Sequence, residues 1–320
     1  MPWWPWRRRT AAIHSEERTK IEPETDLPLL RRAGPLGEVP AERLFTEAAM
    51  RRAWRAVRRA GGGAGVDSVT IEAFEANLDE ELRQLRQELI EGSYRPRPVR
   101  QVLVPKASGG LRPLAMWALR DRVAQRIVYD LIAPSFEAIF LPCSFGFRLG
   151  LGVEDAVRQV IAYRDEGLRW VVDADIKNCF DEIDPHRLMR LVARRVRHRL
   201  LRRYIRGWLE AKIFNSADGL PRHAGASQGS VLSPLLANVY LHEFDLWMTR
   251  RQLALVRYAD DFVVCCRKRR DAEEAVEVAQ EGLQRLRLSL NPAKSRVTHF
   301  DQGFAWLGYF FVRNECYRLQ

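Results

Sequence analysis

The sequence predicts an α+β fold, with a mostly helical first half followed by antiparallel strands backed by helices. Three observations carry this. Apolar residues between 41 and 139 recur mainly at helix period, and Phe74, Leu78, Leu82, Leu85 and Leu89 form one such stripe. From residue 170 onward, short runs rich in Val, Phe and Tyr are punctuated by turn signals, as in Trp170–Ile176 and Leu253–Cys266. The 320 residues are 47% apolar and 29% charged, a composition with material for a sizeable core.

Taken in order, residues 1–40 read as an arm, with Trp3, Trp4 and Trp6, then Arg7 to Arg9, and six prolines. A helix follows over about 41–59, then the breaker Gly61-Gly62-Gly63-Ala64-Gly65, then a second helix over about 70–91. Val99–Val104 alternates as a strand before a Gly-rich turn at 106–113, and 118–139 reads as a long helix. Trp170–Ile176 is a strand carrying acids near its end, and an arginine-dense helix spans 187–206. Ser233 and Pro234 suit the N-cap and first position of another helix. Leu253–Cys266 reads as a hairpin with Ala259-Asp260-Asp261 at its tip, followed by a helix over 271–288 and two short strands at about 295–300 and 304–312.

Lys and Arg exceed Asp and Glu by 11, which favours polyanionic partners. Between 187 and 206 there are nine arginines and no acid, a run that a bound phosphate backbone would relieve. Only six lysines occur, which makes each of them informative. The five cysteines show no Cys-x-x-Cys pair, which argues for a reduced setting without structural zinc. No apolar run approaches the roughly 18–20 residues of a membrane span, and MPWWPWRRRT has no signal-peptide pattern. The expectation is a cytoplasmic protein with no membrane partner.

Asp175 at a strand end and Asp260 and Asp261 at a hairpin tip are the candidate chemistry. Acids inside an apolar hairpin are costly unless solvated or bound to cations. Mg²⁺ takes one or two carboxylates plus substrate phosphates, and two such ions stabilise the attacking and leaving oxygens of phosphoryl transfer. Acids on neighbouring strands of a basic protein therefore fit nucleotidyl transfer. Ordinary turn chemistry accounts for an isolated Asp-Asp equally well.

Tyr258-Ala259-Asp260-Asp261 resembles the signature box of reverse transcriptases, and other blocks match in order. These are Pro105–Pro113 (PKASGGLRP), Ser144–Arg148 (SFGFR), Asp173–Asp184 (DADIKNCFDEID), Ser227–Tyr240 (SQGSVLSPLLANVY), Leu290–Arg296 (LNPAKSR) and Phe304–Phe310 (FAWLGYF). With Ala64-Gly65-Val66-Asp67 upstream, the wording is most similar to the group II intron type. The resemblance implies right-hand polymerase fingers over 41–169 and a palm over 170–320, with a primer-holding hairpin near the C-terminal end. It implies an RNA-directed DNA polymerase joining a DNA or RNA primer to dNTPs on an RNA template, with Mg²⁺, or Mn²⁺ in its place. Ser227 and Asn178 stand where the family usually has proline and glycine, and Leu149 where intron enzymes usually have proline.

The resemblance also implies roles. Asp175 and Asp260 are metal ligands, Asp261 stands beside them, and the Ile176 carbonyl is an added ligand. Asp173 is the rival of Asp175, since alternate strand residues share a face. Phe180 is the residue that excludes a ribose 2′-OH, with a core aromatic as the alternative. Lys106 and Arg112 contact the triphosphate, Gln228 lies under the nucleotide, and Lys294 protonates pyrophosphate. Arg148 contacts template or makes a structural salt bridge. Trp306, Leu307 and Gly308 hold the primer end or serve as core.

The chain runs only about eight residues past the primer-holding hairpin, which ends near 312, so no thumb or maturase region is expected within it. A partner protein supplying a thumb, or intron RNA, is the matching expectation. The competing readings are a silent RNA-binding scaffold, a CRISPR- or defence-associated reverse transcriptase, and an untemplated polymerase.

Overall fold

The computed structural model describes residues 34–105, 111–214, 226 and 229–319. Most of the expected arm, together with Lys106 and Gln228, lies outside the described residues. In chain order the helices and strands begin with α1 (Ala41–Leu44), α2 (Glu47–Ala60), α3 (Ile71–Ala76), α4 (Leu78–Glu91), β1 (Val99–Pro105), β2 (Leu111–Met116) and α5 (Leu119–Glu137). There follow α6 (Val153–Asp165), β3 (Trp170–Asp175), α7 (Cys179–Glu182), α8 (Pro185–Arg195), α9 (Arg199–Leu209) and β4 (Ile213–Phe214). The last are α10 (Ser233–Thr249), β5 (Ala254–Tyr258), β6 (Asp261–Cys266), α11 (Arg269–Arg285), β7 (Arg296–His299), β8 (Phe304–Trp306), β9 (Tyr309–Val312) and β10 (Glu315–Arg318).

Contacts group the chain into two compact units. One runs to Ser135 and takes up Ala193–Leu232; the other comprises Phe136–Val192 and Ser233 onward. The bounds 41–169 and 170–320, expected for fingers and palm, divide the chain by function rather than by these compact units.

The first unit is helical around the small sheet β2-β1-β4. The Thr46 hydroxyl caps α2 by accepting from the Ala49 N–H at 3.2 Å, and the helix buries Met50, Ala53, Trp54 and Val57. At its centre the Tyr94 hydroxyl donates to the buried Asp121 carboxylate (2.5 Å), which also accepts from the Arg97 N–H (3.1 Å). The Trp208 indole N–H in turn donates to the Tyr94 oxygen at 2.9 Å.

The second unit is built on the antiparallel sheet β5-β6-β3-β7. Val171 and Val172 are both fully buried, so β3 is covered on both faces. One face meets α10 and α11, where Phe262 packs edge-on against Phe244 at 5.2 Å. On the other, Val171, Val263 and Cys265 pack with Val157 and Val160 of α6 and with Phe300, Phe304 and Phe311. Alternation continues that second face along β3 from Val171 to Asp173 and Asp175. The acids therefore lie where the apolar cover of this face ends.

The expected elements are present, with several differences. The helix expected over 41–59 is α1 and α2, parted at Phe45-Thr46 where Thr46 caps α2, and α6 and α7 stand where no element is expected. The apolar stripe from Phe74 to Leu89 spans two helices, because Asn77 leaves the helical conformation (φ −124°, ψ 28°) while the stripe continues across it. The arginine-dense segment is also two helices. Leu36 bridges Val196, and the buried His198 ring meets the Val39 carbonyl at 2.9 Å, so tertiary contacts interrupt the helix. The last segment carries four strands where two are expected: 304–312 is a hairpin of β8 and β9 that folds back at Leu307-Gly308, and β10 follows.

Burial pushes the Asp121 carboxyl from the usual 3.8 up to about 6, against the pull of the Tyr94 and Arg97 hydrogen bonds and of Arg120. The folded state then holds this proton more tightly than the unfolded chain. The contribution is present below about pH 4 and is lost as pH rises through about 6, an effect on the order of 3 kcal/mol. Asp121→Asn is expected to flatten the dependence of melting temperature on pH between about 4 and 7; an unaltered slope refutes the assignment.

Candidate active site

Asp175 and Asp261 are register partners at the ends of β3 and β6. A two-residue turn, Ala259-Asp260, links β5 to β6 and sets Tyr258 opposite Asp261. Ala259 adopts φ 59°, a left-handed conformation that an L-residue rarely takes, and this turns the chain tightly enough to bring Asp261 straight back into the sheet. The Ile176 N–H donates to the Asp260 carbonyl at 3.1 Å, fastening the end of β3 to the turn.

The Asp261 carboxyl is held far above the ordinary carboxylate range. Burial is the largest cause, followed by the charges of Asp260 and Asp175 and a hydrogen bond shared with Asp175. Three acids thus bear on one another at the sheet end. The segment after α11 partly offsets them. Asn291 donates from Nδ2 to one Asp175 oxygen (3.0 Å), and Lys294 Nζ lies 3.2 Å from the other. The Asn291 N–H donates to the Asp175 carbonyl at 2.8 Å, and Ile176 bridges Leu290. Asn291 lies in the LNPAKSR block, and its role depends on a bridge between residues far apart in the chain.

Asp173, the rival acid, pairs across β3 and β7 with Arg296 at 3.3 Å. Burial raises its proton affinity, and Arg296 acts against that. A cavity of about 330 Å³ opens here between Asp173, Asp175, Asp261, Lys294 and Arg296, with Trp306 and Leu307 on its wall. Leu307 (φ 50°) and Gly308 (φ 80°) form the two-residue turn between β8 and β9, a geometry that suits a tight hairpin. Trp306 is buried, and its indole nitrogen finds no partner among the described residues.

Not every predicted site residue joins this constellation. Phe180 is buried in the one-turn helix α7. Asn178 before it has φ 42°, which explains why glycine usually fills this place and why asparagine is tolerated. Arg148 is held by Glu137 (2.9 Å) and by the Leu141 and Ser144 carbonyls (both 2.9 Å), so the geometry supports its structural alternative. Arg112 stands in β2 opposite Val104. Gly229, next to Gln228, has φ 114°, and a Cβ there would fall 2.2 Å from the Ala115 carbonyl oxygen.

The donor set at Asp175 and Asp261 is carboxylate oxygen only, which suits a hard divalent cation. Among the described residues no three His, Cys, Asp or Glu form a closed metal cage. An open pair of carboxylates short of positive charge matches an ion that takes its other ligands from water and phosphate.

Comparison with known proteins agrees with this architecture. The reverse transcriptase (RNA-dependent DNA polymerase) family matches residues 104–311. Protein YkfC of Escherichia coli (strain K12) is 34% identical over 290 residues, covering 78% of this chain and 76% of that protein. The group II intron-encoded protein LtrA of Lactococcus lactis subsp. cremoris is 25% identical over 316 residues, covering 77% of this chain and 52% of LtrA. The chain thus matches about half the length of LtrA. A telomerase structure from Candida albicans shares the fold at a TM-score of 0.51 and 13% identity, over 72% of this chain and 47% of that one. With a sheet-end aspartate pair at its centre, the chain belongs to the reverse transcriptase (RNA-dependent DNA polymerase) family.

Proposed function

We propose that this protein extends a DNA or RNA primer with dNTPs on an RNA template, using Mg²⁺ held at Asp175, Asp260 and Asp261. The observation that carries the reading is the register pairing of Asp175 with Asp261 on a cavity wall, with Asp260 close enough to raise the Asp261 proton affinity. When bound, Mg²⁺ supplies charge stabilisation for the attacking and leaving oxygens of nucleotidyl transfer. Asp175 is oriented for that task by Asn291, while Lys294 stands by as a cation and proton holder beside it. In this reading Ile176 adds its carbonyl, and Lys106, Arg112 and Gln228 serve the incoming nucleotide. Trp306, Leu307 and Gly308 form the wall along which a primer end is held. The palm role falls to 170–320 and the fingers role to 41–169.

An RNA partner is supported by the face of α9. Its apolar residues Leu201, Tyr204, Ile205 and Trp208 are buried, while Arg199, Arg203 and Arg206 are exposed. The Arg203 and Arg95 guanidinium groups both donate to the Gly92 carbonyl, and neither meets an acid among the described residues. Two cations converging on one carbonyl provide a fitting place for a phosphate.

Three outcomes are expected. Asp175→Asn and Asp260→Ala each lower Mg²⁺-dependent primer extension by at least about 10³-fold, with RNA affinity kept within a few fold. A wild-type protein that binds RNA but extends no primer on any template establishes the scaffold reading instead. Replacing Arg199, Arg203 and Arg206 together by Gln weakens RNA binding and lowers the slope of log K against log salt by about 2; an unchanged slope removes this face from the interface. Phe180→Val raises ribonucleotide incorporation relative to deoxyribonucleotide, measured by competition in primer extension, and unchanged discrimination excludes Phe180 as the gate.

A further inference from the structure

Beneath the catalytic turn lies a charged group that the chemistry above does not use. Arg257 is fully buried and forms an ion pair with the equally buried Asp245. A guanidinium has five N–H donors, and here all five are engaged. Nε and one Nη2 hydrogen go to the two Asp245 oxygens (both 2.6 Å). The other Nη2 hydrogen goes to the Ser144 hydroxyl (2.8 Å), and the Nη1 hydrogens go to Asn238 Oδ1 (3.0 Å) and the Ala259 carbonyl (2.9 Å). The last acceptor belongs to the two-residue turn that presents Asp260 and Asp261.

The same turn is held from a second side. Asn238 donates from Nδ2 to the Gly146 carbonyl at 2.8 Å. Gly146 abuts the turn so closely that a Cβ would fall 2.4 Å from the Ala259 nitrogen. The backbone around Gly146 is itself tied to β5: the Arg257 N–H donates to the Cys143 carbonyl (2.7 Å), and the Phe145 N–H donates to the Arg257 carbonyl (2.8 Å). Arg257, Asn238 and Gly146 thus close a loop of contacts around Ala259, the residue with the left-handed backbone.

Resting on the polymerase reading above, we infer that Arg257, with Asn238 and Gly146, is a positioning device that fixes the Ala259-Asp260 turn and hence the placement of the acids on the cation and nucleotide. A hydrophobic cluster could fill this space with similar stability. What the guanidinium adds is a directional bond from α10, through Asp245 and Asn238, to one carbonyl of the catalytic turn. Lysine has three donors and no planar fork, so it cannot reproduce the arrangement.

Gly146→Ala tests this, because the added methyl pushes on the turn and leaves the ion pair intact. Val160→Ala serves as a control, since it removes volume from the core of the same unit and Val160 makes none of the ties named above. The measurements are kcat and KM for dNTP in primer extension, Mn²⁺ affinity by electron paramagnetic resonance, RNA affinity and melting temperature. Gly146→Ala is expected to lower kcat by about tenfold or more and weaken Mn²⁺ binding by about threefold, with RNA affinity within about twofold. Val160→Ala at equal or greater loss of melting temperature keeps kcat and Mn²⁺ affinity within about twofold of wild type. Asn238→Ser, which withdraws the ties to Arg257 and to the Gly146 carbonyl without adding bulk, is expected to shift the same quantities in the same direction, and it replaces Gly146→Ala should that variant fail to fold. If the variants fall on one line of activity against melting temperature with Val160→Ala, the inference is overturned while the polymerase reading stands. A wild-type protein that neither binds Mn²⁺ nor extends a primer overturns both.

Discussion

The pairing register of β3 with β6 is the constraint from which the site follows. Strand residues alternate faces, so a slip of one residue would carry Asp175 to the face covered by α10 and α11 and remove it from Asp261. Burial on both faces fixes the register. Val171 and Cys265 sit in one apolar cluster, and Val172 and Val264 are equally buried on the other side. The carboxylates occupy the one end of this face that the apolar cover leaves open. Hydrophobic packing along the strands thus places charge at their ends.

That placement creates an electrostatic imbalance, and the chain answers it in two ways. Asp173 is matched across the register by Arg296, a pairing built into the sheet. Asp175 is matched by Lys294 from outside the ladder, and the two cations are about equally exposed, Lys294 at 63% and Arg296 at 59%. The difference separates two acids on the same strand face. One has a neutralising partner in the ladder. The other has a hydrogen bond from Asn291 that fixes its orientation and a flexible cation at its side. In the proposed reading, the register pairing with Asp261 and the hydrogen bond from Asn291 favour Asp175 over Asp173 as the ligand.

Local patterns made much of this legible. The α+β class, the hairpin at 253–266, the strand at 170–176 and the acids at their tips all follow from apolar periodicity and turn residues, whose effects act over a few positions. The resemblance then gave Asp175, Asp260 and Asp261 their roles. Less accessible were the places where distant segments decide the structure. The break between α8 and α9 depends on Leu36 and Val39, and no helix signal within 187–206 announces it. Asn291 reads as a turn residue until Leu290 bridges Ile176. Arg257 looks like one more arginine in a chain rich in them, and Asp245 like a polar residue in a long helix. Only the fold reveals that they form a pair with no solvent exposure.

Buried charge and backbone strain meet at the Ala259-Asp260 turn. Ala259 takes a conformation disfavoured by about 1 kcal/mol or more for an L-residue. Next to it lies an ion pair whose disruption would leave an uncompensated buried charge, a loss of about 3–5 kcal/mol. Glycine at 259 would relieve the strain but widen the range of turn conformations in the folded and unfolded states. Alanine held in place by a saturated guanidinium gives a narrower turn instead. For chemistry that depends on carboxylate oxygens being correctly placed before substrate arrives, this narrowness is the useful property. The surrounding core of valines and phenylalanines supplies the stability that lets so costly an arrangement persist.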